Sequence, residues 1–421
     1  MFDDVHAASD PAELDRTDPL REFRGRFAHD SRGVVYLDGN SLGRPPTVVR
    51  DALLRTVDAE WTQELVAGWD RWIDMPAAAG ARLAEAALGA EPDEVLVCDS
   101  TSVNLYKLAA AALDAAPPGR RVLVTDDDNF PTDRYILQGL AERADASLRT
   151  IRTDVDGGVD PARVAAAVGD DVAVVCLSHV AYRSGALADM AAVTRIVHDA
   201  GAMVLWDLCH SVGAVPVELS ACEVDMAVGC TYKYLNAGPG APAFLYVRRD
   251  LHSRLRQPVW GWFSQKDQFA MGPDYAPVDG IGRFAVGTPP ILGVAAVEAA
   301  VSLVSEAGIE AIREKSLRLG EYALALFDAQ LTPLGFRLAS PREPSARGGH
   351  LTIAHPDAWR ISQAMREAGV VPDYRAPDRV RMGFAPLYNS FADIRDGFAA
   401  IRDVVVLRTY EKQPAEPGQV T

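Results

Sequence analysis

Residues 203–236 read MVLWDLCHSVGAVPVELSACEVDMAVGCTYKYLN. Two short apolar runs stand out in it, one from Met203 to Trp206 and one from Asp225 to Cys230. Neither alternates with polar residues, which is the pattern of strands buried on both faces of a sheet. The first run stops at Asp207; the second leads through Thr231 and Tyr232 to Lys233. Both end in groups that burial penalises unless a partner is supplied. In open α/β sheets ligands sit at the carboxyl ends of the strands, so an acid and an amine 26 residues apart are carried toward one edge.

Such a pair meets the needs of pyridoxal phosphate chemistry. The amine condenses with the cofactor aldehyde, and the carboxylate keeps the pyridine nitrogen protonated so that the ring accepts electrons. Alone the pair is weak evidence, because an Asp at a strand end and a Lys in a loop occur throughout α/β proteins. The surrounding text is more specific. GCTYKYLNAGPGAPAFL (229–245), LWDLCHSVGAVPVEL (205–219), DNFPTDRYI (128–136), YLDGNSLG (36–43) and RMGFAPLYNSF (381–391) together resemble the kynureninases, in order and over most of the chain.

The resemblance implies an α/β protein of fold type I among pyridoxal-phosphate enzymes: a large domain with a mostly parallel, doubly wound sheet and a smaller α+β C-terminal domain. The repeated order of strand, loop and helix independently suggests the doubly wound sheet. We expect an N-terminal segment at 1–45 packing on the small domain, the large domain at 46–295, the small domain at 296–410, and a flexible polar tail at 411–421. The implied activity is hydrolysis of L-kynurenine to anthranilate and L-alanine in tryptophan catabolism, with pyridoxal 5'-phosphate as cofactor, in a homodimer with shared active sites. Relatives favouring the 3-hydroxylated substrate carry His near the position of Trp69, which points here to unsubstituted kynurenine.

Composition agrees with that class. A chain of 421 residues is long enough for two cores. A net charge of −16 excludes non-specific nucleic-acid binding, which needs clustered Lys and Arg. No apolar stretch is long enough to span a bilayer, and no secretory signal is visible in MFDDVHAASDPAELDRTDPL, so a cytoplasmic enzyme is expected. Five scattered cysteines without a CxxC pair read as reduced thiols, with neither a disulfide framework nor a metal site.

Along the chain, each segment has a plain and a functional reading. Asn40 and Ser41 lie between Gly39 and Gly43, as in a tight turn or a close approach to a ligand; in the family the segment lies by the substrate. Trp61, Trp69 and Trp72 fit core packing, while the resemblance brings Trp69 to the substrate ring. Ser100 and Thr101, with Ser102, precede an apolar helix. One would serve as an N-cap, and the group would suit a phosphate at the helix N-terminus. In the acidic run at 126–133, otherwise a solvated loop, the resemblance makes Phe130 a ring stacked on the pyridine and Asp133 its neighbour.

Ser178 follows a buried run and is implied to touch the cofactor. His210 is either a cap or a cofactor contact. Tyr232 is implied to bond the phosphate or move protons, beside the catalytic Lys233 and Asp207. In the irregular Gly/Pro-rich stretch after Arg249, Trp262 and Thr288 match residues that reach the neighbouring subunit's cofactor. Arg381, read on an edge strand and there usually solvated, matches the family's clamp on the substrate α-carboxylate; Arg375 competes for that role. Cysteine desulfurases need a catalytic Cys after the Lys, and this chain has none beyond Cys230. A nicotinamide dehydrogenase needs a GxGxxG turn after the first strand, which Gly238-Pro239-Gly240, following the Lys, does not supply.

Overall fold

A computed structural model describes residues 5–28 and 31–416. In chain order its strands are β1 (Val35–Tyr36), β2 (Val95–Val97), β3 (Val122–Asp126), β4 (Ser147–Ile151), β5 (Val172–Ser178), β6 (Met203–Asp207), β7 (Met226–Gly229), β8 (Phe244–Val247), β9 (Arg337–Leu338), β10 (His350–Ala354), β11 (Val370–Val371), β12 (Asp373–Arg375) and β13 (Arg379–Gly383). Seven form the main sheet in the order β2-β8-β7-β6-β5-β3-β4. Pairing is parallel from β4 to β7, and β8 alone runs against its neighbours. The strand order reverses around β3 and β5, as a doubly wound sheet requires.

The absence of alternation in the apolar runs has a direct cause. Leu205, Met226 and Val228 pack with the helices Thr101–Ala115 and Pro131–Arg143 on one face. Val204, Trp206 and Ala227 pack on the other, against Met190–Asp199, Met75–Leu83 and Ile291–Ala307. Both faces are dry, so both residue parities are apolar.

A second core lies under the four-stranded sheet β12-β13-β10-β9, covered by the helices Ile309–Leu326, Ala358–Glu367 and Phe391–Val406. The boundary expected at 295 falls inside the helix Ile291–Ala307, whose Val294, Val297, Val301 and Val304 belong to the main core. Arg381 is not on an edge: β13 lies between β12 and β10, and Arg381 is 1 % exposed.

The N-terminal segment serves both cores. Leu14 and Leu37 join the second, Leu20 and Phe27 the first. Asp15 accepts the N–H groups of Phe391 and Ala392 at the start of the last long helix, where backbone donors are otherwise unpaired. The tail expected to be flexible from 411 docks as far as Pro414: the Arg360 guanidinium donates to the carbonyls of Glu411 and Gln413, and the Trp359 indole to that of Pro414. Residues 417–421 of that tail lie outside the described residues. No single helix among the described residues is long and apolar enough to cross a membrane.

Lys315 and Asp18 form an ion pair at 2.6 Å with side chains 5 % and 3 % exposed, fastening the N-terminal segment to the helix Ile309–Leu326. Removing one member strands the other charge in the interior, at a cost of about 3–5 kcal/mol. Lys315→Met is therefore expected to lower unfolding free energy by that order in urea titrations, and Asp18→Asn added to it to recover part of the loss.

Candidate active site

Parallel pairing sets Asp207, the last residue of β6, opposite Val228 of β7. The chain leaves β7 through Cys230 and Thr231 to Lys233, above the same edge. Lys233 Nζ is 3.0 Å from His210 Nε2. Burial, and after it the nearby Lys233, push His210 well below the usual histidine range, so its neutral Nε2 accepts from the amine. The proton then sits on Nδ1, which is buried and has no partner.

On the other side of the amine lies an acid pair. Asp133, in the first turn of Pro131–Arg143, is hydrogen-bonded to Asp207, and burial followed by the Asp207 charge holds its carboxyl well above the usual range. Asp207 Oδ1 also accepts the Cys209 N–H at 2.7 Å. Asp133 Oδ2 is buried and unpartnered. Two adjacent acids in a dry site, with an unused acceptor, fit a protonated ring nitrogen.

Phe130 is 38 % exposed, with its ring centre 6.0 Å from Lys233 Nζ and edge-on to Tyr182 at 5.4 Å. The loop is fixed by Asn129, whose Oδ1 accepts from Ser178 Oγ at 2.7 Å and from the Phe130 N–H at 2.8 Å. Ser100 is the N-cap of Thr101–Ala115, accepting from Val103 N at 3.4 Å, and Thr101 Oγ1 lies 3.6 Å from Cys209 Sγ. The neighbouring Cys230 sulfur, then burial, push the Tyr232 phenol up, so it keeps its proton at neutral pH. His179 is a buried neutral histidine edge-on to Trp206, pushed down to about 4 by burial.

The N-terminal loop closes the site from above. Gly43 donates to the Tyr232 carbonyl at 2.8 Å. A Cβ on Gly43 would stand 2.2 Å from Asn236 Oδ1 and 2.4 Å from the Lys233 carbonyl, so the glycine is required by close approach. Ser41 Oγ accepts from Arg381 Nη2 at 3.0 Å, and Arg381 also pairs with Asp373, which Arg375 shares at 3.0 Å. Asn40 is fully buried there.

Lys233, Tyr232, His210, Asp207, Asp133, Phe130, Ser178, Ser100 and Thr101 thus gather at the sheet edge, with Asn40, Ser41 and Arg381 adjoining. Trp69, Trp262 and Thr288 do not join them within one chain. Phe263 links Trp69 at 6.1 Å with Trp262 at 4.7 Å. It also lines a cavity of about 270 Å³ that Thr288 borders. Trp69 itself lines a neighbouring apolar groove with Trp61, Trp72 and Pro290.

Comparison with known proteins agrees with this geometry. Residues 312–401 match the family described as the kynureninase C-terminal domain. The kynureninase of Burkholderia mallei (strain SAVP1) is 42% identical, over 93% of this chain and 94% of its own. That of Pseudomonas fluorescens is 40% identical over 96% of each. The chain belongs to the kynureninase family. Among solved structures, the cysteine desulfurase of Thermococcus onnurineus NA1 has a TM-score of 0.79 at 19% identity, covering 96% of this chain and 100% of its own. A variant of the cystine C–S lyase C-DES, with glycine covalently linked to its PLP cofactor, has a TM-score of 0.80 at 20% identity, covering 90% and 99%. These two share the fold.

In this kynureninase-family site, sequence reasoning missed Asn129, Asp38 and Asp373. Asn129 and Asp38 lie inside the blocks DNFPTDRYI and YLDGNSLG, whose resemblance pointed to their neighbours, while nothing around Asp373 in its short strand marks it. Burial, then the Asp373 carboxylate, push Asp38 up to about 6. Because the folded carboxyl binds its proton more tightly than the unfolded one, stability from this group is greatest below about pH 4. It declines as pH rises to about 6, by at most about 3 kcal/mol. Asp38→Asn is expected to raise the melting temperature relative to wild type at pH 8 and to leave it nearly unchanged at pH 4, in paired thermal scans.

Proposed function

We propose that this chain is a pyridoxal-phosphate-dependent kynureninase hydrolysing L-kynurenine to anthranilate and L-alanine, with unsubstituted kynurenine preferred. The observation that carries the proposal is the buried corner where Lys233, His210 and the Asp133–Asp207 pair converge in a chain 42% identical to a kynureninase. Bound there, the cofactor supplies an electron sink for charge developing beside the substrate's amino-bearing carbon. Lys233 would hold the cofactor through its aldehyde and act as the base at the substrate's α-carbon, with neutral His210 orienting its Nζ. Asp207 and Asp133 would hold the protonated form of the cofactor's ring nitrogen. Phe130 would lie against the cofactor ring, and Ser178 acts through Asn129 to fix that loop.

Ser100 and Thr101 receive the phosphate at their helix N-terminus, where backbone donors favour an anion. Arg381, braced by Asp373 and Ser41, turns the substrate carboxylate, and Asn40 lies alongside. Water adds to the γ-carbonyl and the bond between the β and γ carbons breaks; Tyr232, protonated at neutral pH, gives its proton to the departing alanyl fragment. The sum is one water consumed per bond cleaved.

A cysteine desulfurase shares this fold, but all five cysteines precede Lys233, so no thiol follows the lysine to receive sulfur. The domain limits belong to the same proposal: a large domain to about 307, a small one from about 309 to 410, and an N-terminal segment bridging them. So does a cytoplasmic location, supported by five free thiols.

We also propose a homodimer whose sites are completed across the interface. Trp61, Val66, Trp262, Phe269 and Met271 are 54, 81, 41, 69 and 72 % exposed, beside the groove that contains Trp69. So much exposed apolar surface suits a second copy. Trp69, Trp262 and Thr288, apart from Lys233 in one chain, would then meet the partner's site.

Reconstituted with pyridoxal phosphate, the protein is expected to release fluorescent anthranilate from L-kynurenine. Lys233→Ala should lose activity by roughly 10²–10⁴-fold or more, the contribution of a proton-transfer group alone; unchanged turnover would refute the assignment. Competition between kynurenine and its 3-hydroxy form measures the preference. Met271→Asp is expected to shift the dimer toward monomer in light scattering and to lower turnover with it; a monomeric variant of full activity would end the shared-site proposal.

A further inference from the structure

One buried side chain in the arginine corner has no work in this scheme. His350 is 1 % exposed, and neither ring nitrogen makes a well-aligned hydrogen bond; the Tyr182 carbonyl beside it accepts from Arg381 and meets the imidazole only as a poorly aligned contact. Asn40 is 0 % exposed, and both polar atoms of its amide are equally unpartnered. Buried polar groups are almost always satisfied, so several orphans in one corner point to a ligand that brings their partners.

Register puts them on one face. In the β10–β13 pairing His350 lies opposite Gly383, and Thr352 opposite Arg381. Opposed residues and residues two apart share a face, so the side chains of His350 and Arg381 leave the small sheet on the same side. Asn40 Oδ1 lies 1.9 Å from where a Cβ of Gly383 would stand, which places it on that side too. The His350 ring is 5.4 Å from that of His210, and His210 in turn touches Lys233. His350 therefore lies between the arginine and the lysine, with Asn40 on the same face beside Gly383.

Arg381 alone makes an incomplete anion clamp. Its Nη1 donates to the Tyr182 carbonyl, its Nη2 serves Ser41 and Asp373, and Nε is the guanidinium nitrogen without a partner. A carboxylate offers about four acceptor sites and needs further donors. Burial, then Arg381, with Lys233 and Arg375 behind it, hold His350 well below the usual histidine range. Its imidazole is then neutral and offers one N–H in an electropositive corner.

We infer that His350, together with Asn40, contacts the substrate α-carboxylate, completing the pocket that Arg381 opens and selecting α-amino acids over the corresponding amines. The inference rests on the kynureninase reading above. Its test uses the holoenzyme, with L-kynurenine and its decarboxylated amine titrated against the cofactor's absorbance, alongside steady-state turnover. His350→Leu is expected to weaken L-kynurenine binding and raise KM by on the order of ten- to a hundredfold, the loss of one hydrogen bond to a charged group. It should leave kcat and the affinity for the amine within about twofold, the amine having no carboxylate for His350 to contact. His350→Gln, which keeps an N–H donor, should recover most of the loss. His350→Asn, polar but short, should show the same selective defect and replaces the leucine variant if that one does not fold. Equal weakening of both ligands would assign His350 a structural role, and undiminished kynurenine binding would remove it from the pocket; either overturns the inference alone. Failure of the wild type to bind or cleave L-kynurenine would overturn the parent reading, and this inference with it.

Discussion

The site depends on a conflict between burial and polarity at one edge of the main sheet. Strands covered on both faces must be apolar along their length, yet β6 and the segment after β7 end in a carboxylate and an amine inside the protein. Parallel pairing sets the end of β6 beside β7, and the segment after β7 brings Lys233 back to the same edge, in contact with His210. The remaining parts of the molecule then answer the demand for partners: His210 from the turn after β6, Asp133 from a helix start, and a glycine-containing loop that lies on the lysine's own backbone.

The charges divide the corner into two ends. At one, burial and then the Asp207 charge hold Asp133 above the usual carboxylate range, with Asp126 behind pushed up to about 7 by burial first. At the other, Arg375 and Arg381 share Asp373. Lys233 stands between them, and the two histidines beside it, His210 and His350, are held neutral. A ligand protonated at one end and carrying a carboxylate at the other matches this polarity, and a uniformly charged one does not. Neutral histidines add hydrogen bonds without altering the field, which in a low-dielectric site is where a stray charge costs most.

What could be read from the sequence divides along a physical line. The apolar runs 203–206 and 225–230 announced buried strands because burial on both faces writes itself into consecutive residues. The blocks around Asp207, Lys233, Phe130 and Arg381 were legible because each sits in a specific neighbourhood of residues. Contacts made by distant segments left no such trace. Nothing near His350 marks it as lying opposite Gly383 or within reach of Arg381, and nothing in β13 announces that it lies inside its sheet. The helix Ile291–Ala307, across which a boundary at 295 is expected, looks like the opening of a new unit, but its valines pack on the main core.

The likeness to cysteine desulfurases separates what the fold supplies from what the chain adds. A sheet of this topology can present an amine and an acid at neighbouring strand ends. The loop 38–43 and the face of the small sheet are different in kind, because they come from outside that sheet and meet at the lysine's backbone and at Arg381. Gly43 and Gly383 make that meeting possible: one lets the loop lie on the Lys233 carbonyl, the other leaves space for Asn40. A methyl group would meet Asn236 and the Lys233 carbonyl at the first position and Asn40 at the second, so the loop could not lie where it does. The closure of the loop over this edge is therefore set by how closely its neighbours approach these two glycines, which the sheet topology alone does not dictate.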